Sequence, residues 1–322
     1  MPARPEDGAS FQALFERRWS RLTRPHVRAL AWLLDAPDLL DAAAPQWRGR
    51  IASLGPLSAA SVDWLHALER DPAPLDAALG TRFYSRLGLY AEKLMAFYFA
   101  EHGTLVAHGL QVRANRNDTV GEFDFLLRDG ARLLHWEFAT KFYLLDELPD
   151  GDGFNCLIGP NLADTLGAKM RKILDKQLAL ALHPAAQPLL PQPVDLAQAL
   201  VKGWLFYPQG RTPALAGIAA PHCHGFWSAL ARFEAADDER FIVLPRLQWL
   251  APWKGAGDTP VLNPWQLRQE LTLQMETLAA PVMVAAVAEQ GGWLVERRRG
   301  FVVPDDWQAQ AAARRTAGLL PA

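Results

Sequence analysis

The stretch GEFDFLLRDGARLLHWEFATKFYL, residues 121–144, decides the fold. Two apolar-rich runs, 121–128 and 131–144, flank Asp129-Gly130. Asp-Gly between such runs is the strongest short-range signal for a β-hairpin. A two-residue turn there pairs Arg128 with Ala131, Leu126 with Leu133, Asp124 with His135 and Glu122 with Glu137. Side chains alternate along a strand. One face then holds Phe123, Phe125, Leu127, Leu134, Trp136 and Phe138, and belongs against a core, with Arg132 near the turn as its polar exception. The other holds Glu122, Asp124, His135, Glu137, Ala139 and Lys141, with Leu126 and Leu133 nearer the turn.

The second face is unusual. Glu122 opposite Glu137 is a like-charge pair, which destabilises a ladder, and Asp124 lies diagonally from Glu137 at roughly 5–8 Å. Three carboxylates between apolar segments need compensation. A hard divalent cation, Mg²⁺ or Mn²⁺, supplies it through oxygen ligands, which makes Asp124, Glu137 and Glu122 the candidate metal ligands. Lys141 falls on the same face and offers a second source of positive charge. The same pattern also fits an exposed, charge-decorated sheet face in which Lys141 makes ordinary ion pairs.

Outward from the hairpin, 86–101 reads as a helix that is apolar nearly all round, hence buried, with Glu92 at its edge on the line of Gly88, Met95 and Phe99. A strand at 105–114 follows it. Beyond the hairpin come a Gly-rich loop, a helix over 163–182, a Pro-rich loop at 184–193 and a strand at 204–207. Gln177 lies on the helix line of Met170, Ile173, Leu174, Leu178 and Ala181, its buried face. Helix, three strands, helix, strand predicts an α/β core with a mixed sheet. The expected organisation is a helical region at 1–80, this core at 81–208 and an α+β extension at 209–322. Helical stripes (Val27, Leu30, Ala31, Leu33, Leu34; then Val62, Leu65, Leu68) mark the first part. The last part predicts a short helix at 225–234, a strand at 241–250, a helix at 264–279 and a hairpin over 282–303 turning at Gly291-Gly292.

The bulk numbers agree with a packed cytoplasmic protein. Of the 322 residues 50% are hydrophobic, and the 12 Trp spread over most of the length, so a sizeable core is available. No apolar run reaches the roughly 20 residues of a membrane span, and the first residues lack the apolar stretch of a signal peptide. Two cysteines make a disulfide framework unexpected. The net charge of −2 argues against an extended basic surface, though not against a local basic groove.

The order of acidic residue, second acidic residue and nearby lysine on adjacent strands resembles the PD-(D/E)xK nuclease superfamily over about 87–207. Asp124 in GEFDFLL matches the strand aspartate of that superfamily, and Glu137 in HWEFATKFYL its second acidic ligand. Glu92 matches the acidic residue of the first core helix, and Gln177 in KILDKQL a helix glutamine found in several branches. The chain as a whole is similar to a family of uncharacterised bacterial proteins, a domain of unknown function placed near these nucleases. RPHVRALAWLL, RLGLYAEKLMAFYF, IGPNLADTLGAKMRKILDKQL and FIVLPRLQWLAPW carry that similarity together with the two hairpin segments. The resemblance implies a restriction-endonuclease-like mixed sheet flanked by helices and Mg²⁺- or Mn²⁺-dependent hydrolysis of DNA or RNA. Lys141 would position the attacking water, and Glu92 and Gln177 would assist. One feature departs from the pattern: the lysine two residues after the second acidic ligand is replaced by Ala139, and Lys141 lies about 6.6 Å further along the strand. Ala139 shares its face, with apparent room for a lysine moved back. A non-catalytic binding or scaffold protein retaining the fold is the alternative.

Weaker signals surround this core. Lys169, Lys172 and Lys176 form a stripe that either holds phosphates or is a solvated helix face. Gly159-Pro160-Asn161 is placed to shape a loop over the site. Arg297–Arg299 reads as an exposed basic strand edge or a nucleic-acid contact. His222, Cys223 and His224 lack the further ligands of a zinc site, and His135 is a neighbour of the acidic residues.

Overall fold

The computed structural model describes residues 10–81, 84–116, 118–147, 153–208 and 213–316; the signal-peptide reading of the first residues and residues 148–152 of the Gly-rich loop lie outside them. The chain opens with helices α1 (Phe11–Trp19), α2 (Pro25–Asp35), α3 (Ala59–Arg70), α4 (Ala73–Leu79) and α5 (Leu87–Glu101). Ser10 and Ser58 cap α1 and α3, each accepting a backbone N–H of the first turn. The strands are β1 (Leu105–Asn115), β2 (Asp118–Asp129), β3 (Arg132–Leu145), β4 (Leu157–Ile158), β5 (Leu196–Pro208), β6 (His224–Ala229), β7 (Arg240–Val243), β8 (Lys254–Ala256), β9 (Val282–Gln290) and β10 (Trp293–Val303). Helix α6 (Leu166–Lys172) lies between β4 and β5, α7 (Pro264–Leu278) between β8 and β9, and α8 (Trp307–Thr316) ends the described chain.

These strands form one mixed sheet in the order β1-β2-β3-β5-β6-β10-β9-β7, with β4 on β3 and β8 on β10. β3, β5, β6 and β10 run parallel, and both flanks are antiparallel. The strands of the C-terminal third therefore continue the sheet that begins with the 121–144 hairpin. One face packs on α1, α2, α5 and α8 through Trp32, Leu94, Phe125, Trp204, Phe301 and Trp307. The other is covered by α6 and residues 39–51 over β3 and β5, and by α7 over β7 and β9. Among the described residues no helix is long and apolar enough to cross a membrane.

Several elements differ from the sequence reading, each for a physical reason. The predicted helix at 225–234 is strand β6 followed by a 3₁₀ turn: Gly225 lies against the Arg299 carbonyl, 2.5 Å from where a Cβ would stand, and β6 is wedged between two parallel neighbours. The strand at 241–250 stops at Val243, because Pro245 has no N–H for a ladder. The helix at 163–182 is interrupted. α6 ends at Lys172, a π-helical turn covers Ile173–Gln177, and a 3₁₀ turn covers Leu180–Leu182.

The basic run Arg297–Arg299 is not a strand edge, since β10 lies between β6 and β9. Arg299 is 0% exposed, forked onto Glu296 and packed 4.3 Å over the Trp204 ring, which itself stacks on Trp32. Glu296 also accepts from Gln12 of α1 and the Trp253 amide, while Glu16 of α1 holds Arg28 of α2 and Lys254 of β8. These buried charges tie the first two helices to the last hairpin. Breaking a buried pair from one side leaves an uncompensated charge, at about 3–5 kcal/mol. Arg299→Ala should lower the unfolding free energy by that amount in equilibrium urea titrations, and a loss under about 1 kcal/mol would show that the network carries little stability.

Candidate functional site

The hairpin turn sits one residue later than expected. Asp129 pairs with Arg132, leaving Gly130-Ala131 as the turn, and Gly130 alone takes a positive φ, 59°. That is the pattern of a type II′ turn, with glycine at its first central position. Each strand shifts by one residue: Leu126 pairs with His135 and Phe125 with Trp136. One step further, Asp124 comes opposite Glu137, where Glu122 was expected.

The ladder between β2 and β3 ends there. β3 continues beside β5 as far as Leu144↔Phe206, while β2 continues beside β1. The strands part like a fork, and in its crotch the Asp124 carboxylate accepts the Phe138 N–H at 2.8 Å. Across from Asp124, between the pairs His108↔Phe125 and Leu110↔Phe123, stands Gly109 with φ 63°. A glycine is suited to that conformation, and it reverses the side-chain alternation. Phe125 and His108 stack on the α5 side of the sheet, whereas Phe123 and Leu110 pack in the opposite layer with Leu126 and Leu133. Phe123 thus leaves the face predicted for it.

The reversal gathers carboxylates from different elements. Oxygens of Glu92 (α5), Glu122 and Asp124 (β2) lie within 4.8 Å of one another. Glu92 also meets His108 Nε2 at 2.7 Å, and Gln111 donates to Glu122 at 3.3 Å. Glu137 is 1% exposed and is held from the other layer, by His135 Nε2 at 2.8 Å and by Gln177 Nε2 at 2.5 Å. The π turn brings Gln177 there; π-bulges occur often at functional sites. Burial pushes the Asp124 carboxyl well above its ordinary range, and repulsion from Glu137, Glu92 and Glu122 adds to it against the Phe138 amide. Burial also raises Glu137. His135, 0% exposed, is pushed down to about 4 by burial. It is therefore neutral at pH 7 and shares a hydrogen bond with Glu137 through Nε2, while its buried Nδ1 has no hydrogen-bond partner.

The fork opens into a cleft of about 540 Å³ lined by Glu92, Asp124, Glu137, Lys141 and Gln177 among others. Five of the six predicted site residues line this cleft; Glu122 does not, and it meets them only through Glu92 and Asp124, while Glu137 stands outside that carboxylate cluster. Burial, with Lys169 and Lys172 nearby, pushes the Lys141 ammonium down to about 8, against the attraction of Asp164 and Asp124. Ala139 is only 6% exposed and packs in the core under α6, and it also lines the cleft.

Lys169, Lys172 and Gly159-Pro160-Asn161 line the cleft, whereas Lys176 does not. Sequence reasoning missed His108, Arg86 and the pair Arg246 and Trp249, the last two reaching the cleft from a loop more than a hundred residues after the hairpin. The motif FIVLPRLQWLAPW contains both, but nothing in its spacing points at the carboxylates.

A family model covers residues 28–303, most of the chain. The chain belongs to the family described as Domain of unknown function (DUF1853). No curated protein and no solved structure matches it. For this member of the family, the acidic cleft is what the geometry offers as a site.

The donor set fits a hard cation: three carboxylates from two elements converge within reach of one ion. Without a cation, a folded state that holds protons on Asp124 and Glu137 binds more of them than the unfolded chain above about pH 4. Stability should then fall as pH rises from about 5 to 8, and Asp124→Asn, whose amide oxygen keeps the Phe138 bond, should flatten that slope. Mn²⁺ at about a hundred times its dissociation constant should add about 2.7 kcal/mol to the wild type and nothing to Asp124→Asn. Urea unfolding across pH, with and without Mn²⁺, measures both; a wild type indifferent to Mn²⁺ would remove the metal site.

Proposed function

We propose that the protein is a divalent-metal-dependent nuclease with a restriction-endonuclease-like core, hydrolysing phosphodiester bonds of DNA or RNA. The observation that carries this reading is the convergence of Glu92, Asp124 and Glu137 with Lys141 and Gln177 on one cleft, with Glu122 beside Glu92 and Asp124. The resemblance of 87–207 to the PD-(D/E)xK pattern supports it. Asp124, Glu92 and Glu122 would hold the cation, with Glu137 at its side. When bound, Mg²⁺ or Mn²⁺ lowers the pKa of water and offsets charge on the scissile phosphate.

The chain's own residues do the rest. Gln177 and His135 fix both oxygens of Glu137, so that carboxylate cannot swing away. Phe138 fixes Asp124. The Lys141 ammonium, with no salt-bridge partner among the described residues, lines the same cleft and is free to face an incoming phosphate. Preorganised charge of this kind is worth about 10²–10³ in rate. With its pKa near 8, Lys141 can also exchange a proton with the attacking water close to neutral pH.

Lys141→Ala should slow Mg²⁺-dependent cleavage of labelled single- and double-stranded DNA and RNA by about a hundredfold or more, with Mn²⁺ affinity by calorimetry little changed. The double variant Lys141→Ala with Ala139→Lys should fail to recover activity and should lose stability, because Ala139 lies in the core. Cleavage by Lys141→Ala at the wild-type rate would take Lys141 out of the mechanism. Wild type that binds Mn²⁺ yet cuts none of the four substrates would point to a binding module that retains the cleft.

A further inference from the structure

The floor and the mouth of the cleft differ in character. On the floor, Glu137 is 1% exposed and Asp124 is half-buried, so a phosphate meets these two carboxylates only by entering the cleft. The volume, about 540 Å³, is that of a small-ligand site, and the cleft is open to solvent on one side. Around the mouth stand cations from three separate parts of the chain: Arg86 at the start of α5, Lys169 and Lys172 on α6, and Arg246 after β7. Arg86, Lys172 and Arg246 are exposed. The Arg246 guanidinium lies 5.6 Å from the centroid of half-buried Trp249, whose ring packs 5.7 Å from Phe142.

Resting on the nuclease reading, we infer that the cleft takes nucleic acid as a single strand, an unpaired segment or tail, and excludes continuous duplex. A duplex is stiff over about 150 bp and carries its phosphates on a convex surface. It cannot bring one phosphate to a buried floor without unpairing. A single strand can dip into the cleft, with its flanking phosphates on cations of opposite walls. Basic grooves with an aromatic side chain are the usual means of holding unpaired strands, since every base has a face to stack. Trp249 at the mouth, packed on Phe142 and Phe301 with Arg246 over its ring, supplies that face to a base that displaces the exposed guanidinium, which is then free for a phosphate contact.

Fluorescence anisotropy with the full chain tests this, in Ca²⁺ and in EDTA, on three labelled DNAs: a mixed-sequence single strand, the same sequence as blunt duplex, and that duplex with a single-stranded tail. The single strand and the tailed duplex should bind at least tenfold tighter than the blunt duplex. The variant Lys169→Ala/Lys172→Ala/Arg246→Ala should weaken single-strand binding. Its slope of log affinity against log salt should be shallower by about 2, at about 0.7 per phosphate contact for single strands. Blunt duplex bound as tightly as single strand would overturn the inference, and its cleavage in Mg²⁺ would leave the nuclease reading standing. No binding of any of the three, with or without Ca²⁺, together with no cleavage, would overturn both. An unchanged salt slope in the variant would overturn the role given to the cleft mouth.

Discussion

One backbone amide governs the site. Where β2 and β3 part, the Phe138 N–H loses any strand carbonyl on that side, and a buried donor left unpaired costs about 1–3 kcal/mol. The Asp124 carboxylate takes it. The bond closes the crotch of the fork and fixes an acidic side chain at the one place where both layers of the sheet can reach it. Gly109 makes this possible from the next strand. Its left-handed backbone turns the alternation over, so that Glu122 joins Glu92 of α5 while Glu137 is approached from the α6 side. A flat hairpin would have kept Glu122 on the face of Glu137, away from Glu92.

The arrangement is electrostatically uncomfortable by itself. Four carboxylates lie in or beside a partly desolvated cleft, and the raised Asp124 and Glu137 carboxyls register the cost. The depressed Lys141 registers a matching cost, chiefly of its own burial and then of Lys169 and Lys172 nearby. Ordinary ion pairing would have relieved both, yet Lys141 and the carboxylates do not pair. Groups held at such pKa values in a cleft are characteristic of functional sites. The neutral His135 and the amide of Gln177 satisfy Glu137 without supplying charge, which leaves room for a ligand that does.

The cleft also depends on parts of the chain far from the hairpin. Arg299 anchors the carbonyls of Trp249 and Ala251, and Arg28 that of Pro252. The loop bearing Arg246 and Trp249 is thereby held against the sheet by buried charges shared between α1, α2 and the last hairpin. On another wall, Trp307 and Arg314 of α8 hold the carbonyls of Pro160 and Leu162 in the loop over the site. Sequence regions that look separate by composition thus build one wall each.

What the sequence by itself determined is local. Asp129-Gly130 announced the hairpin, the apolar helix at 87–101 announced its own burial, and the even spacing of Glu137, Ala139 and Lys141 put them on one side of β3, because helix period, strand period and turn chemistry involve near neighbours only. It did not determine the one-residue register, since Asp-Gly suits two turn types, nor the reversal at Gly109, since a glycine in a strand does not say which φ it will take. Only the tertiary structure decided that α6 would break into a π turn to deliver Gln177, that Arg299 would be buried in mid-sheet, and that Arg246 and Trp249 would stand at the mouth of the cleft. Those outcomes follow from packing and desolvation between segments a hundred or more residues apart, where sequence spacing carries no information about distance.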